Sequence, residues 1–580
     1  MISLLKYLSD YKKETFLAPF FKLLEAFFDL LTPLVVAAMI DQGIAPGNRR
    51  VVYWSLGAMV ALACVGIALA ATAQYFAAKA ATGFASRLRR ATFARIQRFS
   101  FAQLDRFGAD SLATRMTNDA NQVQTGANLT LRLLLRSPIV VFGAIVMAFL
   151  VDARGALVFL AVFPPLALVV FAIVLASLPI YAENQRRLDA LAVATRENLV
   201  GARVIRAFNM ERNETGRFET LASLLYRTQQ KAGALAGLMN PATYLIVNLG
   251  IVALIATGAA RVQVGTATQG ETVALINYMT QILVELIKLA NLLVQMNKSL
   301  ACGKRLAEVL DEPEDMIDGT LELPEAAPGD SIVSFRDVSL TYPGAADKSL
   351  DGITFDVKVG QTVGIVGGVG SGKTSLVNLI PRFYDASEGA VLIFGRDVRE
   401  YRLESLRAAI GVAPQSAELF QGTVASNLRW GREDASDDEL YSALNVAQAT
   451  DFVPLTPEGL ATPVEQGGRN FSGGQRRRLT VARALVRRPR ILILDDASSA
   501  LDNATDARLR AALRETKVPE TTTFIVAQRA VAVRDADLIL VLDEGKLVGA
   551  GTHDALLREN ETYREICRSQ FPDEEKGGAK

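Results

Sequence analysis

Apolar positions are not spread evenly along this chain. Crossing about 30 Å of hydrocarbon takes about 20 mostly apolar residues in one helix. Six stretches reach that length, at about 16–40, 51–79, 131–151, 156–181, 241–261 and 272–296. Ala156–Ser177, in the fourth, carries no charge, whereas Lys22, Glu25 and Asp29 interrupt the first. Ahead of them, Leu4, Leu5 and Leu8 beside Lys6, Lys12 and Lys13 predict an amphipathic helix lying on the membrane surface. The apolar run that follows is too long for a cleaved leader and lacks a small-residue cleavage site, so none is expected.

The connections alternate between short and long. Segments one and two, three and four, and five and six are joined by about ten, four and ten residues; the other two connections run to about fifty or more. Both long connections keep a helical period with sparse Gly and Pro, which predicts helices continuing well beyond the bilayer. They turn in the polar–apolar mixtures at Phe107–Val123 and Asn198–Phe208. The long connections hold about half of the basic residues of this half. The positive-inside rule therefore assigns them, and both termini, to the cytoplasm. A solvated helical face is the plainer reading of these arginines. Nucleic acid is not expected as a partner, because acids are interspersed and spans flank them.

Charge changes sign at the boundary. Residues 1–310 hold 31 Lys+Arg against 18 Asp+Glu, and the rest of the 580 residues hold 31 against 43. Residues 311–330 hold eight acids, no bases and three prolines, the composition of a linker. After it, Ser331–Tyr342 and Thr362–Val366 are rich in β-branched residues, and strand-like and helix-like segments alternate to about 570. The predicted organisation is a membrane domain at 1–312, an acidic linker at 313–330, an α/β domain at 331–570 and a tail at 571–580. At 50% hydrophobic residues the chain is not disordered, and its three scattered cysteines make neither a disulfide framework nor a cysteine zinc site.

The second half carries the chemistry. Behind the strand Thr362–Val366 come Gly367, Gly368, Val369, Gly370, Ser371, Gly372, Lys373, Thr374 and Ser375, matching GxxxxGK[ST]. Backbone N–H groups of such a loop wrap a phosphate at a helix N-terminus. Lys373 can reach the β/γ-phosphates of a bound nucleotide, and the Thr374 hydroxyl can ligate Mg²⁺. Ile491–Asp495 is an apolar strand ending in an acid suited to hold Mg²⁺ through water. Asn470-Phe471-Ser472-Gly473-Gly474-Gln475 precedes an Arg-rich helical stretch and offers a second anion site, one that needs a γ-phosphate from elsewhere.

With these motifs the sequence resembles an ATP-binding-cassette transporter over nearly its whole length. The resemblance implies a six-span exporter domain with long cytoplasmic helical extensions, followed by a P-loop α/β nucleotide-binding domain, embedded in the inner (plasma) membrane. It implies that ATP lies between one chain's P-loop and the other chain's Ser472–Gln475. It also implies an aromatic stacked on adenine at Tyr342, a Q-loop at Gln415 that senses Mg²⁺, a loop contacting the coupling helices at Glu465, and a D-loop at Ser499–Asp502. Asp110–Asp119 and Asn198–Phe208 resemble the two coupling-helix regions.

Two positions depart from the pattern. Where the family has Glu after the strand-ending Asp, this chain has Asp496. One methylene less pulls the base back from the attacking water, and about 1 Å of misplacement can cost about 10²-fold. Where the family has a switch histidine, this chain has Gln528, and its single histidine, His553, is expected at the surface. Gln528 can donate a hydrogen bond but cannot become a cation or relay a proton. Both departures fall on the site of this chain's own P-loop, while the signature is intact. The sequence therefore predicts one half of a heterodimer with unequal ATP sites; a homodimer that hydrolyses poorly at both is the alternative.

Polar residues inside the spans point to the transported solute. Asn277, Gln281, Glu285, Lys288, Asn291 and Gln295 recur every three or four residues in the sixth stretch, as do Lys22, Glu25 and Asp29 in the first, so each set shares a helix face. Two readings stand. One is a translocation path for drug-like cationic or amphipathic solutes through Glu25, Asp29, Asn277, Gln281, Glu285 and Asn291. The other is helix packing, with Glu285 and Lys288 paired internally. A lipid flippase and a siderophore-type importer share the fold and remain alternatives.

Overall fold

The computed structural model describes residues 2–324, 331–453, 458–497, 501–516 and 521–570. They form two compact units. The first is Met1–Gln97 with Ala109–Glu312; the second is Arg98–Gly108 with Pro313–Lys580.

Six helical segments of the first unit are long and apolar enough to cross a membrane: Lys6–Ile44, Arg49–Ile96, Ala109–Val151, Leu157–Val200, Glu211–Gln263 and Gln269–Asp311. At 1.5 Å per residue the second rises roughly 70 Å, more than twice the hydrocarbon thickness. It can do so because Arg49–Ile96 is Ala-rich and lacks proline. Its buried apolar residues (Ala73, Ala77, Ala80, Ala81, Phe84, Ala85 and Leu88) follow the helical period, and the small ones let neighbouring helices approach closely. The sixth segment is the most buried of the six. Tyr278, fully buried on it, donates its hydroxyl to the Leu30 carbonyl of the first at 2.7 Å.

One expectation is refined here and another corrected. The N-terminal segment is anchored to the bundle through one face, while Leu5 stays exposed. Leu4 is 2% exposed and packs with Phe84, Leu88, Val123 and Leu306, while Glu14 pairs with Lys79 at 2.8 Å. The first turning point is also earlier than Asp110–Asp119, which belongs to the helical run of the third span. The turn is the short helix Phe101–Phe107. Ser100 and Gln103 close a capping box at its start, and Gly108 ends it at φ +73°. The second turn, Ala202–Ala207, lies where the sequence predicts it.

In the second unit a six-stranded sheet runs in the order Lys546–Gly551, Leu538–Asp543, Thr362–Gly367, Thr522–Val526, Ile491–Asp495, Ile410–Ala413. All neighbours are parallel except the first pair. A four-stranded antiparallel sheet, built around Ser331–Leu340, packs over it. Phe335 and Phe355 stack at 4.6 Å in a core that also holds Tyr401 and Phe524. The parallel strands are buried on both faces, which is why they read as unbroken apolar runs. Their C-terminal edge is where such sheets bind ligands.

The candidate nucleotide site and the buried charge cluster

The P-loop leaves the end of Thr362–Gly367 and enters the helix Lys373–Leu379. Gly370 at φ +81° and Gly372 at φ +92° make the wrap, and a Cβ on Gly372 would stand 2.7 Å from the Ser349 carbonyl. Lys373 Nζ donates to the carbonyls of Gly367 (2.9 Å) and Gly368 (2.5 Å), so the ammonium folds back across the loop mouth. Burial lowers the Lys373 pKa, opposed by the charges of Asp496 and Asp495.

Thr374 Oγ1 donates to Asp495 Oδ2 at 3.0 Å and lies 3.2 Å from Oδ1. Asp495 is 4% exposed, and burial raises its pKa, with the Thr374 hydrogen bond acting the other way. A buried carboxylate beside a hydroxyl, all hard oxygen donors, fits a small divalent cation such as Mg²⁺. Tyr342 donates to Ser375 Oγ at 3.0 Å and stands edge-on to Tyr384 at 5.0 Å. Gln415 is exposed.

Asp496 is 7% exposed and left-handed at φ +52°, a conformation Asp tolerates better than most residues. Its N–H donates to the Val526 carbonyl at 3.0 Å, and its own carbonyl accepts from Arg477 Nη1 at 2.7 Å. Strand Thr522–Val526 ends beside Asp495, and Gln528, an exposed residue, follows two positions later. The sheet thus brings Lys373, Thr374, Asp495, Asp496 and Gln528 to one edge. Ser472 caps the helix Gly473–Val486. Its Oγ accepts from Gln475 N at 3.2 Å, and its own N–H donates to Gln475 Oε1 at 2.8 Å. Ser472 and Gly473 are exposed and Gly474 half-buried, leaving that N-terminus open. Of the D-loop, Ser499 and Ala500 lie outside the described residues. Asp502 accepts from the Ala504 and Thr505 amides. His553, expected at the surface, is half-buried, with Nδ1 2.8 Å from the Tyr563 hydroxyl.

The family whose description is ABC transporter transmembrane region matches residues 15–286, and that described as ABC transporter matches 350–499. Proteins described only as uncharacterized ABC transporter ATP-binding proteins, from Mycobacterium tuberculosis and Bacillus subtilis, are 37% and 34% identical over 98% of this chain and 98% of their own. The chain belongs to the ABC transporter family. A solved structure of a bacterial Atm1-family ABC exporter with ATP bound has a TM-score of 0.78 and 26% identity, covering 96% of this chain and 98% of its own. An ATP-dependent lipid A-core flippase of Chromobacterium violaceum is 32% identical over 79% of this chain and 78% of its own. The chain is a half-transporter of an ATP-driven ABC exporter: a six-helix, multi-pass membrane domain joined to an α/β ATPase domain.

In the membrane unit of this ABC exporter the polar faces of the first and sixth spans meet on a residue that sequence reasoning missed. Arg136 donates to Glu285 at 2.5 Å and to Asp29 at 2.7 Å, and lies 3.9 Å from Glu25. Lys22 pairs with Glu25 at 2.5 Å; Lys288 and Ser137 each bond Glu285 at 2.8 Å. Three cations thus face three carboxylates. Asp29, Asn277, Gln281, Glu285 and Arg136 line one cavity of about 520 Å³. Glu25 lies outside that lining, and Asn291 is exposed away from it. The signal for Arg136 was Pro138. Proline cannot donate to the carbonyl four residues back, and the third span breaks at Leu134–Leu135, just before Arg136.

Proposed function

We propose that this chain pairs with a different half-transporter, holds ATP at its own P-loop while hydrolysing it slowly, and completes the partner's fast site with Ser472–Gln475. The observation that carries this reading is Asp496 standing after Asp495 near Lys373, with Gln528 two residues beyond the end of the neighbouring strand. A binding site is present there, without a full-length carboxylate base or an imidazole. Lys373 and the loop amides would hold the β/γ-phosphates, and the Tyr342 ring would stack on the adenine. Thr374 and Asp495, with Gln415 as the resemblance implies, would hold Mg²⁺, which would neutralise charge on the transferred phosphoryl group.

A second chain is also supported by surface chemistry. The tip around Ala202–Ala207 exposes Val200 (83%) and Phe208 (74%). The other tip helix, Phe101–Phe107, is already engaged: the Phe101 ring packs at a tilt against Phe383 at 4.5 Å, and Tyr384 donates to Asp105 at 2.7 Å. Contiguous exposed apolar side chains on a cytoplasmic extension mark an interaction site. The basic residues of the extensions support a plasma (inner) membrane orientation with both termini and the ATPase domain cytoplasmic.

The solute of this reading is an amphipathic compound, such as a drug, expelled through the cavity beside Arg136. Lipid is the second reading. It is favoured by the relatives named lipid A-core flippase and fatty acid ABC transporter ATP-binding/permease protein, the latter from Mycobacterium bovis and 34% identical over 79% of this chain and 72% of its own. It is also favoured by the internal pairing of the carboxylates, which leaves few free charges to bind a cation. Nucleotide retained after a short turnover reaction tests the unequal sites. The assembled transporter is expected to keep intact ATP at this chain's site and ADP at its partner's. ADP at both would overturn the reading.

A further inference from the structure

The last helix of the second unit, Glu561–Gln570, touches the switch segment directly. Tyr563, Cys567 and Gln570 stand at i, i+4 and i+7, one helical face. Tyr563 is fully buried and Cys567 is 9% exposed, both in a cluster with Val366, Ala527, Ala530 and Val533. The helix start is pinned as well: Asn560 Oδ1 accepts from Tyr563 N, and Asn560 Nδ2 donates to the Val548 carbonyl, each at 2.8 Å. This apolar stripe carries Gln570 to the residues flanking Arg529. Gln570 Nε2 donates to the Gln528 carbonyl at 2.9 Å, and the Ala530 N–H donates to Gln570 Oε1 at 2.8 Å. A backbone carbonyl only accepts and a backbone N–H only donates, so the amide orientation is fixed by its partners. The side chain pairs with the segment as a neighbouring strand would.

Arg529 is tied on the opposite flank. Its Nη1 donates to Asn503 Oδ1 at 2.8 Å, at the start of the helix Asn503–Glu515 capped by Asp502. The backbone of residues 528–530 is therefore held from two sides, while the Gln528 side chain is exposed. A neutral, flexible glutamine at this position depends on its backbone for direction more than an imidazole with a single aromatic plane does.

We propose that Gln570 is a positioning residue for nucleotide binding, clamping the backbone around Gln528 so that its side-chain amide faces the γ-phosphate. The proposal rests on the reading that this chain's P-loop binds ATP. The test is photolabelling of this chain by azido-ATP in the assembled transporter, for Gln570→Ala, Gln528→Ala and the double variant. Losing two backbone hydrogen bonds at an exposed edge is expected to weaken labelling roughly five-fold. Gln528→Ala is expected to do the same, and the double variant to be no worse than either single one. Tyr563→Phe, which removes the hydroxyl's contacts to His553 and Cys567 but leaves Gln570 in place, is expected to label as wild type, and nucleotide-free Tm to fall by only a few degrees in Gln570→Ala. Wild-type labelling of Gln570→Ala, or losses that multiply in the double variant, overturns the proposal. If Gln570→Ala lowers Tm further, the double variant still decides, because a general loss of stability would multiply with Gln528→Ala. Failure of the wild-type chain to label, with Lys373→Ala no different, would instead remove the reading beneath it.

Discussion

Replacing Arg136 with leucine is expected to destabilise the membrane unit by about 3–5 kcal/mol, the range for removing one partner of a buried ion pair. The Arg136 side chain is 9% exposed, and its guanidinium joins Glu285 and Asp29, with Glu25 at 3.9 Å. Without it, three carboxylates keep only Lys22 and Lys288, and Lys288 is 43% exposed. Arg136→Lys should recover part of the loss, since one ammonium cannot reproduce the fork that bridges Glu285 and Asp29. Adding Glu285→Gln to Arg136→Leu should recover more, by removing the buried charge left over. Thermal unfolding in detergent, followed for the four proteins, reads the order directly. An Arg136→Leu protein as stable as wild type would mean that the cluster is wet and open, which favours a cation path over packing.

The second large effect is a gain. Asp496→Glu combined with Gln528→His is expected to raise hydrolysis at this chain's site about 10²-fold, the scale set by about 1 Å of misplacement of a catalytic group. Each single change should give much less, because the base and the γ-phosphate sensor act on the same transition state. The left-handed backbone at Asp496 (φ +52°) works against the longer side chain, a cost seen as a small drop in Tm. ATPase of the assembled transporter, with the partner's own catalytic carboxylate changed to its amide, isolates the gain. No increase would mean that something other than these two side chains limits the site.

The sequence made the six spans and the nucleotide site readable because both are local signals. A span is a matter of length and apolar content, and a P-loop is a contiguous run whose glycines meet a backbone requirement. What escaped was non-local. Arg136 lies at the edge of an apolar run, and only folding brings it between Glu25 and Asp29 on one span and Glu285 on another. The carboxylates were legible either as ligands for a solute or as packing partners, and the Glu285–Lys288 pair of the second reading is present, but Arg136 between them was not foreseen. Leu4 looked like a membrane-facing residue because its partners, Phe84 and Leu306, are distant in sequence. The first tip helix was missed despite a local sign, the Ser100–Gln103 capping box and Gly108. The polar residues Asp110–Asp119 drew attention away from it, although they continue a helical run. Gln570 carried no signal: a glutamine near the end of a polar helix gives no hint that its amide meets residues 528 and 530.

Steady-state ATPase of this chain purified and reconstituted alone tests the central claim most directly. Enzymes commonly turn over at 1–10³ s⁻¹, and a 10²-fold handicap on the median of about 10 s⁻¹ leaves roughly 0.1 s⁻¹. The account predicts a rate at or below about that level, with azido-ATP still labelling the protein and Asp496→Asn changing little. A lone chain that hydrolyses ATP at about 10 s⁻¹, and loses that activity in Asp496→Asn, would contradict it.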